Sequence, residues 1–475
     1  MAILTAAIIG GLFAMIGIKL LNHIAAAAYA GAPPTWLWCA PFVLLLAAIA
    51  WMPWKWPRMW DWVGFPASAG LALLVVLAYG WRLHTLVPVA ASVSAYGQFM
   101  AVITALYVVC TNLQITLHCA PTPRNNLLVL LAAAVVANII GTCGATLLFI
   151  GPFLTLNRHR LTESQIFLFV AIVANIGGLL TPLGDPPLMA GYLYGVPFDW
   201  MLIHAWPMWC AGLVWLGGIF YFLQRRIDRT INAPTDVMPP AVSIIKIENI
   251  WLLIPLAVIL GALFLTPAYR VGLLAAVAIG VAGVYRSRRN VGPPAEMDDH
   301  AARPSMIGYR PLGEMASLFL GLFITMTPVL AMIGHLPPRA KKYIASPSAY
   351  FISVGAASSV LDNTPTYIAG LQSKIAAAHR SHKSSEAISM PSKEVAAMAT
   401  APKDALYLLA IALGAVMFGA MTWIGNGPNL LVEMICRNQG IKCPTFGRYI
   451  WRYSIPILLP LLAAVAAWLW WFSGR

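Results

Sequence analysis

The sequence NIGGLLTPLGDPP, residues 175–187, interrupts an apolar run that extends from 165 to 190. Proline lacks the amide hydrogen that a helix needs and its ring clashes with the preceding turn, so a helix through this stretch has to break. In hydrocarbon, each freed backbone N–H or C=O costs several kcal/mol unless it lines a protein or water cavity. The stretch therefore predicts a broken helix, which either lines such a cavity or is merely kinked where Gly and Pro pack against a neighbour.

The whole chain has the composition of a polytopic membrane protein. Of its 475 residues 60% are hydrophobic and 10% charged, with a mean hydropathy of +0.77, whereas a soluble domain has roughly 45–50% and 25%. Most Lys and Arg behind the net charge of +14 fall in short loops, as the positive-inside rule expects, so the charge does not indicate nucleic-acid binding. We predict an all-α multi-pass protein of the plasma (inner) membrane, with the lipid bilayer as partner and no nucleic acid.

Apolar runs of about 17–25 residues predict about eleven transmembrane helices. They lie at 3–22, 37–53, 66–85, 98–117, 165–190, 205–223, 250–266, 271–285, 314–334, 404–432 and 449–472. Two further apolar stretches, 127–154 and 347–371, are interrupted by Gly141-Thr142-Cys143-Gly144 and Asp362-Asn363-Thr364-Pro365. The loop charges favour stretches that re-enter the membrane over stretches that cross it, with the basic face in the cytoplasm.

The two halves of the chain carry these features in the same order. An interrupted apolar stretch precedes a broken helix in each, and TWIGNGPN at 422–429 is the counterpart of 175–187. Paired interruptions are typical of secondary transporters. We predict repeats at 37–224 and 250–475, a cytoplasmic linker at 225–249 and a polar external insert, flexible or short-helical, at 372–403. Residues 1–36 are an N-terminal helix or a signal peptide.

Two of the sixteen acidic residues, Asp185 and Asp362, lie inside the interrupted motifs, and the motifs contain no Lys or Arg. A carboxylate near the midplane costs about 2.5–3.5 kcal/mol, so it is usually protonated, paired or bound to a cation. Desolvation favours proton binding, so one such group can take H⁺ and Na⁺ in turn. The predicted ion- or substrate-binding residues are Thr142, Asn175, Thr181, Asp185, Asp362, Asn363, Thr364, Thr366, Asn426 and Asn429.

Asp362 is the residue that the sequence favours as the coupling carboxylate. Asn363, Thr364 and Asn426 are predicted to bind the cation together with it. For Na⁺ in particular, the predicted ligands are Asp362, Asn363 and Asn426. The alternative role for Asp362 is a helix N-cap, because Asp is among the best capping residues. Asp185 also fits capping and turn chemistry, since two prolines follow it.

These motifs resemble the ion transporter superfamily, in particular its citrate transporter-like proteins and the NhaD-type sodium/proton antiporters. The resemblance covers the chain from about residue 37 to its end. It implies two inverted repeats, each with a re-entrant hairpin and a broken helix, and a homodimer built through a scaffold subdomain. Asn363 and Thr364 stand where carboxylate-transporting relatives have the Asn and Thr of a Ser-Asn-Thr tip, with Asp362 at the Ser position. Gly141-Thr142-Cys143 keeps only the small or polar character of such a tip.

The leading functional prediction is a secondary active transporter that exchanges Na⁺ for H⁺ by alternating access, with these coupling ions and no cofactor. The alternative is Na⁺- or H⁺-coupled transport of citrate or another small carboxylate, against which the charge of Asp362 and the incomplete first tip count. A membrane-embedded enzyme with Asp185 and Asp362 as acid and base is a third interpretation. The sequence offers no nucleophile or metal constellation for it, so we predict a transporter that is not an enzyme. It also has no GxxxxGK[ST] loop, so an ATP-driven mechanism of that type is unsupported.

Overall fold

The computed structural model describes residues 36–117, 119–158, 160–230, 245–290, 310–334, 346–379 and 392–474. The predicted N-terminal helix or signal peptide, with the span at 3–22, lies outside the described residues except for Trp36. Residues 231–244 of the predicted linker and 380–391 of the predicted insert also lie outside them.

Most described residues are α-helical. The helices of the first half are α1 (Ala40–Lys55), α2 (Pro57–Arg82), α3 (Val87–Cys110), α4 (Pro123–Leu156), α5 (Glu163–Ile172), α6 (Pro186–Leu193) and α7 (Trp200–Thr230). Those of the second half are α8 (Leu253–Ala262), α9 (Pro267–Asn290), α10 (Arg310–Thr325), α11 (Thr327–Gly334), α12 (Pro347–Ser358), α13 (Asn363–His379), α14 (Ser392–Thr400), α15 (Pro402–Phe418), α16 (Gly427–Asn438) and α17 (Phe446–Ser473). Short 3-10 turns cover Trp36–Cys39, Ile176–Gly178, Ile250–Leu252 and Gly419–Met421. Within the described ranges, seven helical stretches are long and apolar enough to cross a membrane, which confirms the predicted all-α class.

Local sequence signals set several helix starts. Proline opens α2, α6, α12 and α15, where its missing amide hydrogen would have no partner in any case. Before α5, Thr162 accepts a hydrogen bond from the backbone of Gln165, whose side chain accepts one from the backbone of Thr162. This capping box satisfies two amide hydrogens that the first turn would otherwise leave unpaired.

A two-stranded antiparallel sheet joins two segments that the sequence analysis did not assign to strands. Strand β1 (Gln114–Leu117) pairs with strand β2 (Ile245–Glu248), with Ile115 opposite Ile247. The span predicted at 98–117 is thus wrong at its end, because α3 stops at Cys110. A four-residue strand gives too short an alternation to be told from the end of an apolar run.

The chain forms two compact units, and each takes segments from both sequence halves. The first comprises residues up to 118, 150–155 and 242–332. In it, α2 packs against α10 and α3 against α9 and α10. The rings of Phe99 and Phe319 stack with centroids 5.0 Å apart, and the Tyr96 hydroxyl donates to the Ala316 carbonyl at 2.9 Å.

The second unit comprises residues 119–149, 156–241 and 333–475, and it contains all four predicted interruptions. Each is a break in the described helices: Gly141 has non-helical dihedral angles inside α4, and no α-helix covers 173–185, 359–362 or 419–426. In the predicted insert, α13 continues to His379 and α14 buries Val395 against the unit. Re-entry and the inverted orientation of the repeats stay predictions.

Candidate functional site

Asp185 lies at the centre of the site and is held by one residue from each interrupted stretch. Its side chain is 1% exposed. The Thr142 hydroxyl donates to Oδ1 of Asp185 at 2.9 Å, and Asn363 Nδ2 donates to Oδ2 at 2.9 Å. Hydrogen bonds to a carboxylate are about twice as strong as neutral ones. Three residues that are distant in the sequence thus form one buried polar cluster, which we call the Asp185 cluster.

The break at Gly141 brings Thr142 to Asp185. Gly141 has φ of +82° and ψ of 156°, a conformation that is almost confined to glycine. The next amide, Thr142 N–H, donates to the Gly184 carbonyl at 2.7 Å. The break in α4 is therefore hydrogen bonded to the unwound segment that ends at Asp185. Gly184 in turn lies so close to the Gly178 carbonyl that a Cβ atom would overlap it.

The same local hydrogen-bond pattern occurs in both halves. The Thr181 hydroxyl accepts from Gly184 N–H at 3.1 Å and donates to the Asn138 carbonyl. In the second half, the Thr422 hydroxyl accepts from Gly425 N–H at 3.1 Å and donates to the Ser359 carbonyl.

The shared sequence is Thr-x-x-Gly followed by Asp185 in the first half and by Asn426 in the second. Each of these two residues directly precedes a half-helix, α6 or α16. One of the two corresponding positions therefore carries a titratable carboxyl group, and the other carries a neutral amide.

The other predicted asparagines form a second buried group beside the unwound segments. Asn426 Nδ2 donates to the Ala174 carbonyl at 2.9 Å and to Asn175 Oδ1 at 3.2 Å. Asn175 Nδ2 donates to Asn429 Oδ1 at 2.9 Å, and Asn429 Nδ2 donates to the Gly419 carbonyl at 2.8 Å. These bonds connect the broken helix of the first half to that of the second.

Gly419 lies between this asparagine group and the Asp185 cluster. A Cβ atom on Gly419 would lie 2.9 Å from Asn175 Oδ1 and would overlap Asn363 Oδ1. The amide oxygens of Asn175 and Asn363 therefore both border the backbone of residue 419. The position of this turn therefore determines where these two amide oxygens can lie.

Asp362 has a different environment from Asp185. It directly precedes α13, is half-buried, and its carboxylate faces the backbone amides of Asn363, Thr364 and Gly427. This is the capping geometry that the sequence analysis names as its alternative, and here it joins the starts of two helices, α13 and α16. The Thr366 hydroxyl donates to the Asn363 carbonyl of its own helix at 2.9 Å. Thr364 faces the Asp362 carboxylate with its backbone amide.

Neither carboxylate takes part in an ion pair between described residues. Many carbonyls of the unwound segments already accept hydrogen bonds, including those of Gly177, Gly184, Gly419 and Met421. Within the described ranges no three His, Cys, Asp or Glu residues are grouped to hold a metal ion.

Three supporting residues were not predicted. Asn138 donates to the Gly177 carbonyl at 2.6 Å and accepts from Leu180 N–H at 2.9 Å. Ser358 donates to Asn363 Oδ1 at 2.9 Å, and Thr422 organises the second break. Asn138 and Ser358 precede the two tips by a few residues, and Thr422 matches Thr181 in the shared Thr-x-x-Gly sequence. The position before a tip could have identified Asn138 and Ser358, and the shared Thr-x-x-Gly sequence could have identified Thr422.

Comparison with known protein families supports the prediction that the protein is a transporter. No curated protein matches the sequence. A family model described as putative citrate transport matches residues 32–471, which is nearly the whole chain. The protein therefore belongs to this citrate transport family of multi-pass membrane transporters.

Proposed function

We propose that the protein is an ion-coupled secondary active transporter in which the coupling cation or proton binds at Asp185. The observation that carries this proposal is a buried carboxylate with hydrogen-bond donors on both oxygens and no ion pair to a described residue. A buried charge of this kind is stable only if it is neutralised in at least part of the transport cycle. A proton and a monovalent cation are the two simplest ways to neutralise it.

The surroundings of Asp185 suit a hard cation. Such cations prefer oxygen ligands, and the amide oxygens of Asn363 and Asn175 border the neighbouring backbone at Gly419. The donors Thr142 and Asn363 stabilise the ionised carboxylate when no proton is bound. One group can therefore alternate between H⁺ and Na⁺, which is the minimal machinery of an exchanger.

The position of Asp185 also supports coupling to a conformational change. Its two oxygens are bound by the tip of each interrupted stretch. Neutralising the carboxylate weakens one or both bonds, so occupancy of the site changes the relative stability of arrangements that differ at the tips. Alternating access requires this kind of differential stability.

Exchange of Na⁺ for H⁺ is the leading form of this proposal, because no basic side chain joins the described site to bind an anion. Na⁺- or H⁺-coupled transport of citrate or another small carboxylate is the second, and the family match favours it. In that form, a cation at Asp185 would offset the negative charge of the substrate. We further propose a homodimer in the plasma (inner) membrane, as the resemblance implies.

Purified protein in lipid vesicles with an imposed pH gradient distinguishes the two forms. We expect Na⁺ or Li⁺ to dissipate the gradient, reported by a trapped pH-sensitive dye, with no organic anion present. Gradient loss or Na⁺ flux that requires citrate supports the second form. Vesicles that contain folded protein but respond to neither condition contradict both. The Asp185→Asn variant, reconstituted at equal density, is the control for transport through the site.

A further inference from the structure

We infer that Tyr449 and Ser454 are positioning residues, which act on the ion site by holding the unwound turn Gly419–Met421. This inference rests on the proposed function of the Asp185 site. The Tyr449 hydroxyl donates to the Ala420 carbonyl at 3.0 Å, and the Ser454 hydroxyl donates to the Met421 carbonyl at 2.8 Å. Both residues lie in α17, which follows the second broken helix in the chain.

A π-helical segment places these two hydroxyls together. Residues Tyr449–Leu458 of α17 wind as a π-helix, and Leu459 N–H bonds the Ser454 carbonyl five residues back. In an α-helix, side chains five positions apart point about 140° away from each other. In a π-helix, the backbone hydrogen bonds join residues i and i+5, which brings the two side chains closer to one face of the helix. The π-helical winding therefore lets Tyr449 and Ser454 reach successive carbonyls of one turn.

The sequence supplies a reason for this winding. Pro456 lies inside the segment, cannot donate a backbone hydrogen bond, and would clash in an α-helix with the carbonyl four residues before it. The Ser454 hydroxyl also donates to the Tyr449 carbonyl at 3.1 Å, which joins the two positioning residues directly. Short π-helical segments are frequent at functional sites.

The contact reaches Asp185 in two further steps. The turn that Tyr449 and Ser454 hold begins at Gly419, whose backbone borders the amide oxygens of Asn175 and Asn363. Asn363 donates to Asp185. A shift of this turn would therefore move the two amide oxygens that we propose as neighbours of the coupling ion. The hydroxyls of Tyr449 and Ser454 themselves need not touch the ion.

The variants Ser454→Ala and Tyr449→Phe test this inference because each removes one hydroxyl. The matched controls are Ser68→Ala and Tyr96→Phe, whose hydroxyls also donate to backbone carbonyls but lie in the first unit. The Ser454→Thr variant keeps the hydroxyl. Two quantities are measured on reconstituted protein: the half-saturating Na⁺ concentration for transport, and hydrogen exchange of the amides in 419–426.

We expect Ser454→Ala and Tyr449→Phe to raise the half-saturating Na⁺ concentration about 2- to 10-fold, the change that corresponds to loss of one hydrogen bond. The same variants should accelerate hydrogen exchange in 419–426, whereas Ser454→Thr and the two controls should not. Exchange rates equal to those of the controls overturn the inference, as does an unchanged Na⁺ dependence despite accelerated exchange. Failure of the proposed function is seen separately, as unaltered transport by Asp185→Asn.

Discussion

At the scale of single residues, the site contains two carboxylates with different kinds of hydrogen-bond donor. Asp185 is bound by side chains from two distant tips, Thr142 and Asn363. Asp362 faces backbone amides at the starts of two helices. An amide side chain can replace a capping carboxylate, because its oxygen accepts the same hydrogen bonds. It cannot replace a group that must gain and lose charge.

The first prediction compares the same substitution at both positions. Asp185→Asn should abolish ion-coupled transport while the protein still folds, because the titratable charge is lost. Asp362→Asn should keep transport and lose about 1 kcal/mol or less of stability, since Asn is as good a cap as Asp. Vesicle transport at equal protein density measures the first effect, and thermal unfolding in detergent measures the second. Transport lost in Asp362→Asn and kept in Asp185→Asn would return the coupling role to Asp362.

The second prediction concerns the hydroxyl of Thr142. Thr142→Val keeps the shape of the side chain but removes a donor to Asp185, so we expect the half-saturating Na⁺ concentration to rise about 2- to 10-fold. Thr142→Ser should behave as the unsubstituted protein does. Thr146→Val is the matched control, because Thr146 lies one turn further along the same helix and its buried hydroxyl has no hydrogen-bond partner among described residues. An equal effect of Thr142→Val and Thr146→Val would indicate a packing defect instead.

Residue types at the site were predictable from the sequence, but the hydrogen-bond partners of the two carboxylates were not. Asp185 and Asp362 stood out together because they are the acidic residues inside the interrupted motifs, which contain no basic residue. The partner that distinguishes Asp185, Asn363, lies 178 positions away in the chain. Which amide reaches which carboxylate depends on the packing of helices that no local pattern encodes.

At the scale of elements, the helix breaks follow from glycine and proline and were predictable. The π-helical segment of α17 was not, because Pro456 could equally have produced a kink in an α-helix. Strands β1 and β2 were missed as well, since each is four residues long and pairs with a segment that is distant in the sequence. Long periodic helices are thus visible in the sequence, and irregular winding is not.

The third prediction tests the break at Gly141. Gly141→Ala should destabilise the protein by about 1–3 kcal/mol, because few residues other than glycine adopt its backbone conformation. An added Cβ would also lie 3.1 Å from the Leu183 carbonyl. Gly218→Ala is the control, because Gly218 lies within α7 with open space around a Cβ, and alanine favours helices there. Thermal unfolding in detergent should place Gly141→Ala below the unsubstituted protein and Gly218→Ala at or above it.

At the scale of the whole molecule, sequence order and packing divide the chain differently. The sequence suggests two repeats in succession, whereas each compact unit contains segments of both halves. All ten predicted site residues fall in the second unit. Nearly all of the chain matches one family, so both units belong to a single transporter.

The length of α12 bears on how the interrupted stretches meet the membrane. Its 12 residues (Pro347–Ser358) extend about 18 Å at 1.5 Å per residue, while the hydrocarbon core is about 30 Å thick. A single arm of this length reaches only part of the way across. The arms of α4 are longer, but Arg124 lies at one end and Arg158 just beyond the other. The positive-inside rule therefore favours the same, cytoplasmic side for both ends of α4.

The last prediction is the membrane topology of these two stretches, tested by cysteine labelling after the seven native cysteines are replaced. Thr122→Cys and Arg158→Cys flank the first interruption and should both react with an impermeant maleimide from the cytoplasmic side only. Ser348→Cys and Gln372→Cys flank the second and should both react from the opposite side only. Intact cells and inverted vesicles give access to one side each. If the two flanks of either interruption react from different sides, that stretch crosses the membrane, and the inverted repeat is wrong.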